Sequence, residues 1–213
     1  ENVPAIRRNI EALGVPIRHV KLLLLTHAHF DPAAGLAGLK RASGARLVVG
    51  ARDAEAVRTG IPPGETSYGV VGFPAAPVDR AIRDGEAVTL GGVTLTAIAT
   101  PGHTPGCTTW TMRVIENERP LAVVFPCSIS VAGNRLIGNH RYPGIVADFR
   151  RSFARLATLK ADVVLPAHPE LADVRGRAKA GTLVAPALLG EMVAKARISF
   201  DSDLAKQQAQ DSR

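Results

Sequence analysis

A short apolar segment that runs directly into histidines constrains this chain most. The segment Lys21 to Leu25 is continuous and mainly apolar, as is typical of a buried β-strand. The sequence that follows it is Thr26-His27-Ala28-His29-Phe30-Asp31. Alternate side chains of an extended segment point the same way, so His27, His29 and Asp31 can converge. Two imidazoles and a carboxylate suit a divalent metal, zinc first, although polar residues also occur at strand ends by chance.

The residues after this motif predict a helix from Pro32 to Ala42. Asp31 is a favourable N-cap residue, and Pro32 is a favourable first helical residue because its missing N–H needs no partner there. Leu36 and Leu39 would form the inward stripe. The Asp31 carboxylate is therefore expected at a helix N-terminus.

Two further predicted strands are each followed by a histidine. Val93 to Ala99 leads into Thr100-Pro101-Gly102-His103, and Asp162 to Leu165 leads into Pro166-Ala167-His168. Either histidine alone would more often be a surface residue. Strand ends on one side of a layered α/β fold are where sites are built, so we expect both to join the first motif. His19 and His140 lack this setting and are predicted to lie on the surface.

The order of elements indicates an α/β fold in one domain, residues 1–213. Strand and helix patterns alternate from Lys21 to Thr59. Residues 60–77 form a Gly- and Pro-rich loop of the kind that is often functional. Its Tyr68 and Phe73 would either line a pocket or pack ordinarily. Two later helices are predicted, at 143–159 and 183–207, with a frayed tail from Gln208.

Composition narrows the choice of partners. The net charge is +7, but the basic residues are scattered, which suggests a solvated surface or attraction of anionic substrates. No basic motif interleaved with aromatic residues indicates nucleic acid. No apolar stretch is long enough to span a membrane, and no signal peptide is visible. The sequence therefore favours a small-molecule partner over nucleic acid or membrane.

The motifs resemble those of the metallo-β-lactamase superfamily, and more closely those of its subclass B3 enzymes. The resemblance extends through most of the chain and rests on residues 27–31, 99–106, 128–130, 138–143, 148–153 and 166–169. It implies an αββα sandwich and two zinc ions bridged by a hydroxide. Strands that precede the first helix in the family are missing. We therefore expect an N-terminally incomplete sandwich with an exposed sheet edge at Leu22 to Leu25, covered by a second copy of the chain.

The resemblance also assigns roles to residues. It implies that His27, His29 and His103 hold the first zinc ion. Asp31 and His168 would hold the second, and Asp31 would also orient the hydroxide during catalysis. Ser128 and Ser130 match positions that engage the substrate carboxylate. Cys127 lies beside that segment, either as a packed thiol or as a group near the metal.

One residue departs from the family motif. Pro32 stands where the family has another zinc-binding histidine, and proline has no donor atom. A weakened second zinc site is expected. The implied function is a zinc hydrolase that opens the β-lactam ring by attack of a metal-bound hydroxide, in the periplasm or secreted. The alternatives are a hydrolase of lactones or thioesters and a non-catalytic metal-binding remnant of the fold.

Overall fold

The computed structural model describes residues 2–212 and contains two β-sheets with helices against their outer faces. The strands are β1 (Leu22–Leu24), β2 (Arg46–Gly50), β3 (Arg80–Ile82), β4 (Ala87–Leu90), β5 (Val93–Ala99), β6 (Thr108–Glu116), β7 (Arg119–Phe125) and β8 (Val163–Val164). The helices are α1 (Val3–Ala12), α2 (Phe30–Ala33), α3 (Leu36–Ser43), α4 (Ala54–Thr59), α5 (Ile145–Ala157), α6 (Val174–Ala180) and α7 (Leu188–Asp211).

The first sheet is parallel, in the order β1-β2-β3, and β1 lies at one edge. Its central strand β2 is buried on both faces because its apolar side chains alternate between two layers. Leu47 and Val49 pack with helices α3 and α4, whereas Val48 packs toward the second sheet. This sheet therefore separates a helical layer from the other sheet.

The second sheet has the order β4-β5-β6-β7-β8, and all its pairs are antiparallel except β7 with β8. Trp110 of β6 is buried between the two sheets and donates its Nε1–H to the Leu25 carbonyl at 3.2 Å. On the outer face, Val124 packs beneath α5 and α7, together with Phe149, Phe153 and Phe200. The layers are thus helix, sheet, sheet, helix, which confirms the predicted α/β class.

The prediction of a single helix from Pro32 to Ala42 is wrong in its bounds and in its N-cap residue. The chain forms two helices, α2 and α3, with a break at Ala34 and Gly35. The N-cap residue of α2 is His29 rather than Asp31, and no side chain caps it. Pro32 occupies the third helical position, where a missing N–H is still tolerated. Asp31 therefore lies inside the first turn, and its carboxylate is free to face His168.

The predicted fraying from Gln208 is also wrong, because α7 continues to Asp211. Gln207 holds this end of the helix through its side chain. Its Oε1 accepts the Leu136 N–H at 2.7 Å and its Nε2 donates to the Asn134 carbonyl at 3.1 Å. Among residues 2–212, no helix combines the length and the apolar character that a membrane crossing requires.

Candidate metal centre

Three buried histidines from two strand ends meet between the sheets. We call His27, His29 and His103 the inner group; their ligand atoms all lie within 4.8 Å of one another. His27 and His29 follow β1, and His103 lies in the turn between β5 and β6. The Thr108 N–H donates to the Thr26 carbonyl at 2.8 Å, which joins the ends of β1 and β6. Pairing between the two sheets therefore brings the rings together.

The His103 ring is oriented by a backbone contact. Its Nδ1 lies 2.8 Å from the Ser130 carbonyl oxygen. A carbonyl only accepts, so Nδ1 carries the proton and Nε2 of the neutral ring presents a lone pair. That lone pair lies 2.9 Å from Nδ1 of His29. Gly102 makes this turn possible, because it has a φ of +142° and an added Cβ would lie 2.8 Å from the Phe149 ring.

Burial keeps the inner group uncharged. It lowers the pKa of His103 to about 3, and the neighbouring His29 contributes in the same direction. The pKa values of His27 and His29 are also lowered, again mainly by burial. Neutral imidazoles are the form that binds metals, so no proton has to be displaced near neutral pH.

The inner group fits a metal ion. The Nε2 atoms of both His27 and His29 are buried and have no hydrogen-bond partner among the described residues. Buried polar atoms are normally paired, because burying one without a partner is costly. Three neutral imidazoles whose ligand atoms lie this close together form a donor set that is typical of zinc. The cluster is therefore suited to hold a metal ion.

A second pair of candidate ligands lies nearer to solvent. We call Asp31 and His168 the outer group; Nε2 of His168 lies 3.2 Å from Oδ2 of Asp31. Together with His27, these residues form a second set whose ligand atoms lie within 4.8 Å of one another. Pro32 is half-buried beside them and offers no donor atom. The structure thus brings together all five predicted ligands, and His27 lies close to both the inner and the outer group.

Cys127 is not a free thiol, so the packed-thiol prediction is wrong and the residue cannot supply a thiolate ligand to a metal. It forms a disulfide with Cys107, and their Cα atoms are 5.8 Å apart. Both residues are buried. The bridge links the start of β6, next to the His103 turn, to the segment that carries Ser128. Twenty residues separate the cysteines, and their spacing alone did not indicate a pair.

Ser128 and Ser130 differ in exposure. Their hydroxyls are 3.1 Å apart, but Ser128 is buried whereas Ser130 is exposed and lines the pocket above the histidines. The backbone carbonyl of Ser130 also orients His103. Contact of either serine with a substrate stays a prediction.

A pocket of about 400 Å³ opens above the histidines. His29, His103, Asp31 and His168 lie in its wall. Its rim carries exposed apolar side chains from three segments of the chain, namely Phe30, Tyr68, Val70, Val71 and Leu171. Tyr68 thus lines the pocket, whereas Phe73 packs in the core. Among the described residues, no lysine or arginine lines this pocket.

Sequence reasoning missed two acidic residues near the histidines. Asp53 is fully buried and contacts both histidine-bearing loops. Oε1 of Glu170 lies 3.5 Å from Nδ1 of His168. A signal existed for each, since Asp53 follows the end of β2 and Glu170 is two residues beyond His168. Neither belonged to a recognised motif.

A family model and two similar solved structures point to the same protein family. A family model described as the metallo-beta-lactamase superfamily matches residues 2–114. The crystal structure of BJP-1, a subclass B3 metallo-beta-lactamase of Bradyrhizobium japonicum, is 39% identical, with a TM-score of 0.92; the match covers 98% of this chain and 81% of that one. A Cronobacter sakazakii metallo-beta-lactamase with an HARLDQ motif is 37% identical, with a TM-score of 0.88, over 97% of this chain and 84% of that one. The predicted sandwich fold is therefore confirmed.

The sequence is also similar to a protein that is named for a different hydrolase activity. A hydroxyacylglutathione hydrolase of Acidiphilium cryptum is 27% identical over 159 residues, which is 73% of this chain and 53% of that protein. The chain spans about half or less of the length of the curated relatives that it matches.

Proposed function

Because the chain belongs to the metallo-beta-lactamase superfamily, we propose that it is a zinc-dependent hydrolase that opens the ring of β-lactams. The observation that carries this proposal is the inner group, a cluster of three buried, neutral imidazoles of which His29 and His103 line a pocket. The similarity to subclass B3 enzymes over nearly the whole chain supports the choice of substrate.

The inner group would hold the principal metal ion. Three protein ligands would leave a coordination position free for water or substrate, as in catalytic zinc sites, and His29 and His103 line the pocket from which either could enter. Zinc bound in this way lowers the pKa of a bound water to about 7 and polarises a carbonyl group. Ser130 keeps the His103 ring in the tautomer that leaves Nε2 unprotonated, and burial keeps the three rings neutral at neutral pH.

The outer group would hold a second metal ion more weakly. Asp31 and His168 supply donors, but Pro32 removes the third one expected from the family motif. Losing a group that merely supports a ligand costs about 10–100-fold in metal affinity, so the loss of a ligand itself should cost more. The Cronobacter sakazakii metallo-beta-lactamase has an HARLDQ motif, which ends in Gln rather than His. A non-histidine at this position is therefore compatible with the proposal.

The pocket favours a β-lactam over a glutathione thioester. Glutathione has carboxylates at both ends, whereas a bicyclic β-lactam has one, so a glutathione thioester depends more on cationic partners. The lining instead contains Asp31 and Glu170 and, among the described residues, no lysine or arginine. The apolar rim suits the hydrocarbon substituents of a bicyclic lactam, and Ser130 offers a hydroxyl to its carboxylate. Hydrolysis of glutathione thioesters is the second candidate, because the curated relative carries that activity in its name.

Parallel assays with two substrates test the proposal. A chromogenic cephalosporin and S-D-lactoylglutathione are offered to the zinc-loaded chain, to the same chain after chelation, and to the chelated chain with zinc restored. We expect turnover of the cephalosporin alone, lost with the chelator and regained with zinc. Turnover of the thioester alone would assign the second candidate. Bound zinc by elemental analysis without turnover of either would identify a non-catalytic remnant.

Two further parts of the proposal concern setting and assembly. Periplasmic or secreted placement is supported by the disulfide, since such bonds persist mainly in oxidising compartments. Fractionation of the native cells would contradict this placement by finding the chain in the cytoplasm.

The chain is also proposed to form a dimer in which a second copy covers the β1 edge, because an open edge strand favours pairing. A monomeric mass by light scattering would exclude it.

A further inference from the structure

Asp53 connects the two loops that carry the inner group. It lies just before α4 and is fully buried. Its Oδ2 accepts the Ala28 N–H at 2.9 Å and the Thr104 hydroxyl at 2.6 Å. Its Oδ1 accepts the Gly106 N–H at 2.6 Å. One carboxylate therefore bridges the first histidine motif and the His103 turn, which are far apart in the sequence.

The partners of Asp53 are placed where they determine ring positions. Ala28 lies between His27 and His29, so the hydrogen bond to its N–H fixes the peptide that sets the direction of both rings. Thr104 directly follows His103. The hydrogen bonds of the Asp53 carboxylate go to Ala28, Thr104 and Gly106 and to none of the three rings, so Asp53 acts through the loops.

Close packing holds the carboxylate in this arrangement. A Cβ added to Gly106 would lie 2.3 Å from the Asp53 nitrogen and 2.6 Å from its Cγ. A Cβ on Gly50 would lie 2.1 Å from the Gly106 carbonyl oxygen. The two glycines thus allow the end of β2 to approach the His103 turn at backbone distance, with no space for a larger group.

A buried carboxylate is unfavourable unless it is well bonded. Burial raises the pKa of Asp53 to about 6, although its hydrogen bonds from Thr104, Gly106 and Ala28 oppose that shift. A purely structural role would be served as well by apolar packing, which carries no such penalty. The Asp53 carboxylate instead accepts three hydrogen bonds from the two loops that carry the ligands. A preorganised metal site requires this kind of support.

We propose that Asp53 is a positioning residue, whose carboxylate holds the His27–His29 loop and the His103 turn at the spacing that binds the metal ion. The proposal deepens the proposed function and rests on the metal site assigned there. The same role extends to Thr104, whose fully buried hydroxyl donates to Asp53.

Zinc affinity of the folded chain tests this role. Apo-protein of the wild type and of Asp53→Asn is titrated with Zn²⁺ against a chromophoric chelator, with folding checked by circular dichroism. We expect Asp53→Asn to bind zinc at least about 10-fold more weakly, as for other groups that support metal ligands. The Co²⁺-loaded variant should also show altered d–d bands, because the geometry of the ligands changes.

Asp148 provides the matched control. It is also a buried aspartate, but its partners are Arg52, Tyr142 and Arg151, which lie in neither histidine loop. Asp148→Asn should lower the melting temperature and leave zinc affinity within about twofold, which is less than the effect of a supporting group. Equal affinity of Asp53→Asn and wild type, or an equal loss in Asp148→Asn, would overturn the proposal.

Thr104 keeps the test decisive if Asp53→Asn fails to fold. Thr104→Val removes the hydroxyl at nearly constant volume, and Thr104→Ser retains it. Weaker zinc binding in the valine variant, with recovery in the serine variant, supports the bridge. Unchanged binding in the valine variant, or equal losses in both, overturns it. A wild-type chain without zinc affinity would overturn the proposed function as well, whereas the other failures concern Asp53 alone.

Discussion

The inner group and the outer group both follow strand ends, but they differ in burial and in support. The inner histidines are buried, and the loops that carry them are held by Ser130 and Asp53. Asp31 is exposed, and the outer pair has Pro32 where a third donor is expected. The comparison teaches that ligand identity alone does not make a site. A preorganised, dehydrated set of donors should bind tightly, while a solvated pair should not.

The largest expected effect separates the two groups by removing one ligand from each. His103→Ala should weaken binding of the first zinc ion by more than about 100-fold, beyond the range for a supporting group. His168→Ala should leave that first affinity nearly unchanged. Zinc titration against a chelator measures both, with the exposed His140→Ala as control. Equal losses in the two ligand variants would break the distinction between the groups.

Restoring the missing donor should make the outer group resemble the inner one. Pro32→His is expected to raise bound zinc from about one to about two ions per chain and to strengthen the second site by at least about 10-fold. Elemental analysis and cephalosporin turnover measure the change. Pro32→Ala, which removes the ring without adding a donor, is the control. No change in stoichiometry would show that Pro32 is not what weakens this site.

The disulfide beside the inner group should contribute to stability. Replacing Cys107 and Cys127 together with serine is expected to lower the free energy of unfolding by about 3 kcal/mol, because the unfolded chain loses a cross-link. Urea denaturation measures the effect, with Ser128→Ala as a control for polar changes in the same segment. An unchanged midpoint would indicate that the packing around the inner group needs no bridge.

The smallest expected effect concerns pH. The inner histidines have pKa values below that of an unfolded histidine. Below about pH 6.5 these histidines therefore bind protons in the unfolded chain but not in the folded chain. Their contribution to the stability of the metal-free chain is fully present above pH 6.5. It is lost progressively as the pH falls toward about 3, the pKa of His103.

Thermal denaturation of the metal-free chain at pH 7.5 and 5.5 measures this dependence. The melting temperature should fall by a smaller amount in His103→Ala than in the wild type, and the exposed His140→Ala should follow the wild type. A wild-type melting temperature that does not depend on pH in this range would mean that the inner group is not dehydrated.

Local patterns predicted most elements of the fold. β5 occurs at Val93–Ala99, the strand that was predicted before the Thr-Pro-Gly turn. The helix after the first motif was less predictable. Its break at Ala34 and Gly35 and the position of Asp31 depend on how the chain packs, which propensities do not specify. The extended end of α7 likewise depends on Gln207, whose partners lie some 70 residues away in the sequence.

By itself the sequence determined that histidines follow three apolar strands and that one expected donor is replaced by Pro32. Such features are local, because strand periodicity and turn residues act over a few neighbours. Only the tertiary structure decided that Cys107 pairs with Cys127, that Ser130 orients His103 and that Asp53 bridges two loops. These contacts join residues 20 or more positions apart, and they arise because packing the two sheets together buries polar groups that must then find partners.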